Sequence, residues 1–179
     1  NIGIQVYGGH GYVREWGMEQ LVRDTRIAQL YEGTNGIQAA DLIGRKLTRD
    51  GGDMQQATFN LLSSRIAAMT DSVRQAQAVS LLQDWNETSQ ALLGANAVDI
   101  AGAATDYLHY SAYSLLGVLW LDMARAAQHS SNDLIVKGKA NTCDFYMKRL
   151  LPRKDIHKSV VLAAADDLMA VEDQQFDYV

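Results

Sequence analysis

A single proline and a single cysteine occur in 179 residues. With so few proline breaks, long stretches are free to stay helical, and one thiol excludes an intramolecular disulfide. Cys143 stands apart from any other thiol, which argues against zinc or another metal and suits a small buried or half-buried apolar residue in a reducing, cytoplasmic compartment. Positive charge is also short: a formal net charge of −5 argues against nucleic acid as the main partner. Long hydrophobic runs are missing. The most apolar stretch, Leu115 to Leu121, stops at Asp122, far short of the ~20 residues that a membrane span needs. The opening residues lack the basic start and apolar run of a secretory signal. They begin without methionine in what reads as the end of a helix, so a longer precursor is expected.

What is present points to an ordered all-α protein. Hydrophobic residues make up 47% and charged residues 21% of the chain, and no β-alternation of any length competes with helical periodicity. Ten of the 14 glycines lie within the first 52 residues, which divides the chain into a glycine-rich front and a glycine-poor rear near Gly51-Gly52. In the front, Gly8-Gly9 and Gly11 are expected to end an incoming helix. A short helix follows from about Met18 to Leu30. Gly33 then interrupts, and Thr34 or Asn35 caps a helix carrying Ile37, Leu42, Ile43 and Leu47.

In the rear, Leu62, Ile66, Met69, Val73 and Ala76 are spaced to share one helical face. A second helical stretch is predicted from about Glu87 to Gln128, with Leu93, Ala97, Ile100 and Ala104 on one stripe. Its part from Tyr107 to Met123 is apolar on most sides and requires several neighbours. A third helix, about Asn132 to Leu151, should end at Pro152, and a fourth should carry Val161, Ala164, Leu168 and Val171. Four helices with short connections predict an antiparallel bundle.

Two segments carry more than helix signals: Gln5-Val6-Tyr7-Gly8-Gly9-His10-Gly11-Tyr12, and Arg23-Asp24-Thr25-Arg26-Ile27 running on to Tyr31-Glu32-Gly33-Thr34-Asn35-Gly36. Clustered glycines allow close backbone approach by a ligand, and a helix start near Thr34 offers unpaired N–H groups to an anion such as a phosphate. A carboxylate just before that start, Glu32, is a candidate general base. Taken alone, an acidic residue before a glycine turn is more often ordinary helix-end chemistry.

The order and spacing of these two segments closely resemble the final part of flavin-dependent acyl-CoA dehydrogenases. The resemblance is specific through the front and looser in the rear. There the chain is similar to the C-terminal helical extension of long bacterial members, including those similar to 3-methylmercaptopropionyl-CoA dehydrogenase. It implies that residues 1–52 end the family's C-terminal helical domain and that residues 53–179 form a helical-bundle extension. It implies Glu32 as the catalytic base that removes the α-proton of an acyl-CoA, with Gly33 against the substrate. Thr34, Asn35 and Gly36 match positions that contact FAD, and Gln5, Val6, Tyr7, Gly8 and Gly9 match the part that reaches the FAD of a neighbouring subunit. The implied partners are an acyl-CoA substrate, an electron-transfer flavoprotein and a second copy in a homodimer. The implied product is a trans-2-enoyl-CoA, with the isolated chain inactive. The rival reading is a non-catalytic helical module for dimerisation or docking.

Other conspicuous residues have plainer expectations. His10 belongs to a loop, and Arg23, Asp24 and Arg26 are expected to brace the Glu32 loop by ion pairs. Tyr107, Tyr110, Tyr113 and Trp120 read as core or interface aromatics, with Ala112, Tyr113 and Leu116 left for a second subunit. Met54, Met69, Met123 and Met147 read as core filler. The run Lys148, Arg149, Arg153, Lys154, His157 and Lys158 reads as a solvated helix corner, offset by the acidic segment from Glu172 to Asp177.

Overall fold

The computed structural model describes the backbone of residues 1–178 and side chains through Phe176, so the Asp177 carboxylate lies outside the described residues. Among the described residues there is no strand, in keeping with the all-α expectation. No helix among them is long and apolar enough to cross a membrane. The chain divides into two compact units, 1–38 and 39–179.

The first unit contains α1 (Ile2–Tyr7), α2 (Gly9–Tyr12), α3 (Met18–Arg26) and the start of α4 (Asn35–Asp41), with single 3-10 turns at Arg14–Trp16 and Ile27–Gln29. Gly8 ends α1 with φ 59°, as expected of a glycine at a helix end, whereas Gly11 lies inside α2. Gly11 is the one buried residue of this unit. A Cβ there would sit 2.7 Å from the Ile4 Cα, so α1 and α2 touch backbone to backbone. Apolar side chains are otherwise turned outward, with Ile2 82%, Val6 79% and Tyr12 79% exposed.

The second unit continues α4 as a π-helical segment (Leu42–Thr48), followed by α5 (Asp53–Ala67), α6 (Ser72–Leu93), α7 (Ala97–Ala127), α8 (Asp133–Phe145) and α9 (Lys154–Val161). Pairings between neighbours fix the directions. Phe59 meets Trp85 at 5.0 Å while Gln75 donates to the Ile66 carbonyl, so α5 and α6 are antiparallel. Trp85 Nε1 donates to Ser111 Oγ at 3.1 Å, and the Ser89 and Tyr107 hydroxyls meet at 2.7 Å, so α6 and α7 are antiparallel too. Tyr146 donates to the Tyr113 carbonyl, His157 Nδ1 lies 2.7 Å from Asp106 Oδ1, and the Ala165 N–H donates to Asp99. The run from α8 through α9 therefore descends along α7. This is an antiparallel bundle wrapped around α7, whose 31 residues span ~46 Å. Tyr107, Tyr110, Val118, Leu121 and Ala124 are buried from several sides, as the all-round apolarity of this helix requires.

Three boundaries differ from the periodic reading. The face from Leu62 to Ala76 is cut after Met69. Asp71 caps α6 by accepting from the Val73 and Arg74 N–H groups at 3.0 and 3.1 Å, and Val73 is 67% exposed. The stretch from Glu87 to Gln128 is two helices, since α6 ends at Leu93 and Asn96 caps α7. Both breaks are local capping events that a 3.6-residue period runs straight through. α8 ends at Phe145, and a π turn with a 3-10 turn around Pro152 leads on into α9 instead of stopping. The fourth helix ends at Val161, with Ala165 buried beyond it and Leu168 and Val171 exposed. Of the methionines, Met69 is buried, Met147 is half-buried, and Met54 and Met123 are exposed. Cys143 is fully buried, and burial pushes its thiol pKa up.

The basic run divides: Lys148, Arg149 and Arg153 are exposed, as expected of a solvated corner, whereas Lys154, His157 and Lys158 turn inward. Lys154 Nζ reaches Asp84 at 2.8 Å, Lys158 pairs with the same carboxylate, and His157 faces Asp106. Burial alone would raise the Asp84 carboxyl, but hydrogen bonds from Lys154, Lys158 and Tyr110 outweigh it and bring the pKa down to about 2 from an ordinary 3.8. A carboxylate with a depressed folded pKa stabilises fully above its unfolded pKa and loses that contribution as pH falls through the folded value. Stability is therefore expected to decline between pH about 4 and about 2, and Asp84→Asn should flatten that decline. Thermal unfolding midpoints across this window provide the check. An unchanged acid slope in the variant would remove Asp84 from the account.

Candidate active site

The segment around Glu32 is built by ending one helix and starting another within a few residues. The Leu30 and Tyr31 N–H groups both donate to the Ile27 carbonyl, at 3.0 and 3.1 Å, which closes the 3-10 turn after α3. Glu32 then takes φ 56°, making it the one non-glycine residue in the left-handed region among the described residues. That conformation costs a non-glycine residue on the order of 1–2 kcal/mol. It persists only where surrounding structure holds it. The brace here is Gln38, whose Nε2 donates to the Glu32 carbonyl at 2.7 Å. Gly33 follows at φ 105°, where a side chain would be strained and its Cβ would lie 3.0 Å from Ile37 Cγ2.

The resulting turn holds the Glu32 carboxylate in solvent, and no lysine or arginine pairs with it among the described residues. Thr34 supplies the carbonyl that accepts from the Gln38 N–H at 3.0 Å, and Asn35 and Gly36 open α4. Both are exposed, and no side chain accepts from their N–H groups among the described residues. Space beside Gly36 is open for 4 Å around the position of a Cβ.

Gln5, Val6 and Tyr7 form the last turn of α1, Gly8 makes the bend, and Gly9 starts α2. All five are exposed. Nothing lies within 4 Å of a Cβ built on Gly8 or Gly9, so the backbone can be approached closely. No hydrogen bond or ion pair joins Gln5–Gly9 to Glu32–Gly36 among the described residues, although each group is contiguous in itself.

The neighbouring charges do other work than expected. Arg23 pairs with Glu19 at 2.9 Å and reaches Gln20, Asp24 accepts from Gln20 at 2.7 Å, and Arg26 contacts Gln29. These bonds stay along the helix and its 3-10 end, so they do not hold the Glu32 turn. Gln38, which does, carries no local signature that would single it out, because its partner is a carbonyl six residues back. His10 sits edge-on to Trp16 at 5.1 Å, a packing role in the short α2 segment.

With this geometry in view, similarity to known proteins is specific. Residues 1–48 match the family described as "Acyl-CoA dehydrogenase, C-terminal domain", and residues 54–172, more than half of the chain, match "Acetyl-CoA dehydrogenase C-terminal like". The chain is similar to 3-methylmercaptopropionyl-CoA dehydrogenase of Ruegeria pomeroyi, 38% identical over 80 residues that make up 45% of this chain and 14% of that protein. It is similar to a butyryl-CoA dehydrogenase of Syntrophomonas wolfei, 30% identical over 164 residues, or 83% of this chain and 27% of the relative. A broad-specificity linear acyl-CoA dehydrogenase of Mycobacterium tuberculosis is 26% identical over 97% of this chain and 32% of its own length. The chain thus spans about a third or less of these relatives. With both of its helical segments matched in order and along most of its length, the chain belongs to the acyl-CoA dehydrogenase family and carries C-terminal helical segments of that family.

Proposed function

We propose that this chain forms the catalytic C-terminal part of an FAD-dependent acyl-CoA dehydrogenase, with Glu32 as the base. The observation that carries the reading is the Glu32 backbone: a non-glycine residue held left-handed at φ 56° immediately before Gly33, with its carboxylate turned outward. Strain of this kind is retained where it sets a side chain's direction. Family membership supports the reaction class, and the reading assigns residues 1–52 to the end of the dehydrogenase domain and 53–179 to a helical extension.

The α-C–H beside a thioester is a weak acid, so its base must approach closely and in a water-excluded setting. Glutamate's length lets a turn at the protein surface deliver a carboxylate to a carbon beyond it. Gly33, lacking a side chain, leaves room for the acyl group beside that carboxylate. The exposed apolar residues of the first unit, among them Tyr31 at 57% and Ile37 at 62%, support a setting in which further protein covers this surface and excludes water.

The residues present fit a flavin dinucleotide in their chemistry. The open backbone at Gly8, Gly9 and Gly36 and the free N–H groups of Asn35 and Gly36 suit phosphate and ring-edge acceptors. In this reading Thr34, Asn35 and Gly36 hold one FAD, and Gln5, Val6, Tyr7, Gly8 and Gly9 hold that of a homodimeric partner. When bound, FAD supplies the acceptor for the hydride lost from the β-carbon. Glu32 takes the α-proton, and a trans-2-enoyl-CoA results, with an electron-transfer flavoprotein as reoxidant.

The test is an intact enzyme carrying this segment, assayed over acyl-CoAs of varied chain length and head group. Oxidation of at least one with a flavin-linked acceptor is expected, while the 179-residue protein alone should be helical and colourless. Absence of dehydrogenation across the series would leave the docking-module reading in its place. Stoichiometric FAD in the isolated chain would mean that the cofactor surface is placed wrongly.

A further inference from the structure

Among the described residues, one hydrogen bond reaches Glu32 or Gly33: the 2.7 Å bond from Gln38 Nε2 to the Glu32 carbonyl. Glu32 stands at φ 56° and Gly33 at φ 105°, so two consecutive residues leave the conformations that a relaxed chain prefers. Glycine takes such angles freely, whereas glutamate does not. An unbraced Glu32 would relax toward the ordinary φ near about −60°, a turn of about 120° around its N–Cα bond. Its side chain would swing with it. The carboxylate lies at the end of that lever and moves the furthest.

Gln38 is matched to holding this turn. It lies in the first part of α4, where its own N–H donates to the Thr34 carbonyl at 3.0 Å. Its amide nitrogen also stands beside Gly33, 3.4 Å from the position of a Cβ there. One end of the brace is therefore seated on a helix, and the other fixes the peptide that joins Glu32 to Gly33. The donor is also neutral. A lysine or arginine in its place would draw the Glu32 carboxylate to itself, whereas an amide leaves that carboxylate free for a substrate.

We propose that Gln38 is a positioning residue for the dehydrogenation, keeping the Glu32 carboxylate in line with the substrate α-carbon by way of the Glu32 carbonyl. The proposal rests on the reading of Glu32 as the base. Gln38 itself exchanges no proton in this role. Reacting atoms must stand about 3–3.5 Å apart, and a misplacement of ~1 Å by a distant change can cost about 10²-fold in rate.

The test is rapid mixing of the intact, FAD-loaded enzyme with saturating octanoyl-CoA or butanoyl-CoA, whichever the wild type oxidises faster, followed at the visible flavin band. The amplitude of bleaching counts competent sites, and the rate constant reports the transfer of proton and hydride. A variant that merely folds less well loses amplitude and keeps the rate constant. Gln38→Met, similar in length but without a donor, should bleach fully with a rate constant about 10–100-fold lower. Gln38→Glu, alike in shape and ionised at neutral pH, should fall at least as far, since a carboxylate has no hydrogen to donate. It also decides alone should Gln38→Met not fold. In a Glu32→Gln background, Gln38→Met should change the rate constant by less than about twofold, because a brace acts only through the base it holds. A wild-type rate constant in either Gln38 variant overturns the proposal, as do additive losses in the double variant or loss of bound flavin from Gln38→Met. Each of those results leaves Glu32 as the base, provided that Glu32→Gln alone is slow. A Glu32→Gln enzyme that bleaches at the wild-type rate overturns the base assignment, and the proposal with it.

Discussion

Replacing Glu32 by glutamine in an intact dehydrogenase that carries this segment is expected to lower turnover by about 10²–10⁴-fold, the range associated with loss of a general base. Glutamine keeps the side chain's length, and the Gln38 bond to residue 32 uses the backbone carbonyl, which the substitution leaves alone. The turn should therefore hold its shape. Flavin absorbance per protein should be unchanged, since Thr34, Asn35 and Gly36 are intact. The informative measurement is a pair: steady-state acyl-CoA oxidation, and the visible spectrum of the same preparation. Loss of turnover together with loss of flavin would place the effect on the cofactor surface, and near wild-type turnover with flavin bound would remove Glu32 from the chemistry. Glu32→Asp sharpens the result, because it keeps the acid but shortens its reach, and should fall between the two.

The second large effect is expected in stability. Leu121→Ala should lower the unfolding free energy by about 2–5 kcal/mol, the cost of removing a large buried side chain and leaving a cavity. Leu121 is 1% exposed on α7, the helix that every other long helix of the second unit packs against. Its neighbours on the same face, Val118 and Ala124, are fully buried, so little room exists for collapse into the hole. Leu116 on the same helix is 44% exposed, and Leu116→Ala should stay within about 0.5 kcal/mol. Denaturant unfolding of the two variants side by side makes the comparison. Equal midpoints would mean that α7 is not the centre of the bundle's packing.

The all-round apolarity of Tyr107 to Met123 was enough to mark α7 as a helix with neighbours on several sides, because a one-sided stripe would have sufficed for a surface helix. It did not identify those neighbours. Tyr113, expected to await a second subunit, stacks on His157 at 5.8 Å, and its carbonyl accepts from Tyr146. Lys154 and Lys158 looked like a solvated corner since their partner, Asp84, is 70 and 74 residues away in sequence. No local pattern announces such a pair.

The candidate site divides in the same way. Residue types and spacing drew attention to the segments Gln5–Gly9 and Glu32–Gly36, and the resemblance to acyl-CoA dehydrogenases supplied the roles proposed for them. The left-handed backbone of Glu32 and its brace by Gln38 belong to the folded turn, because backbone strain depends on what the surrounding turn imposes.

Composition, the scarcity of proline and the 3.6-residue recurrence of apolar residues by themselves determined the all-α class. These are properties of each helix taken singly, written in neighbouring residues. Tertiary structure alone decided which lysines turn inward to Asp84, because that pairing joins residues 70 and 74 positions apart in the chain. The starts of α6 and α7 are local caps at Asp71 and Asn96, which a 3.6-residue period passes over without registering.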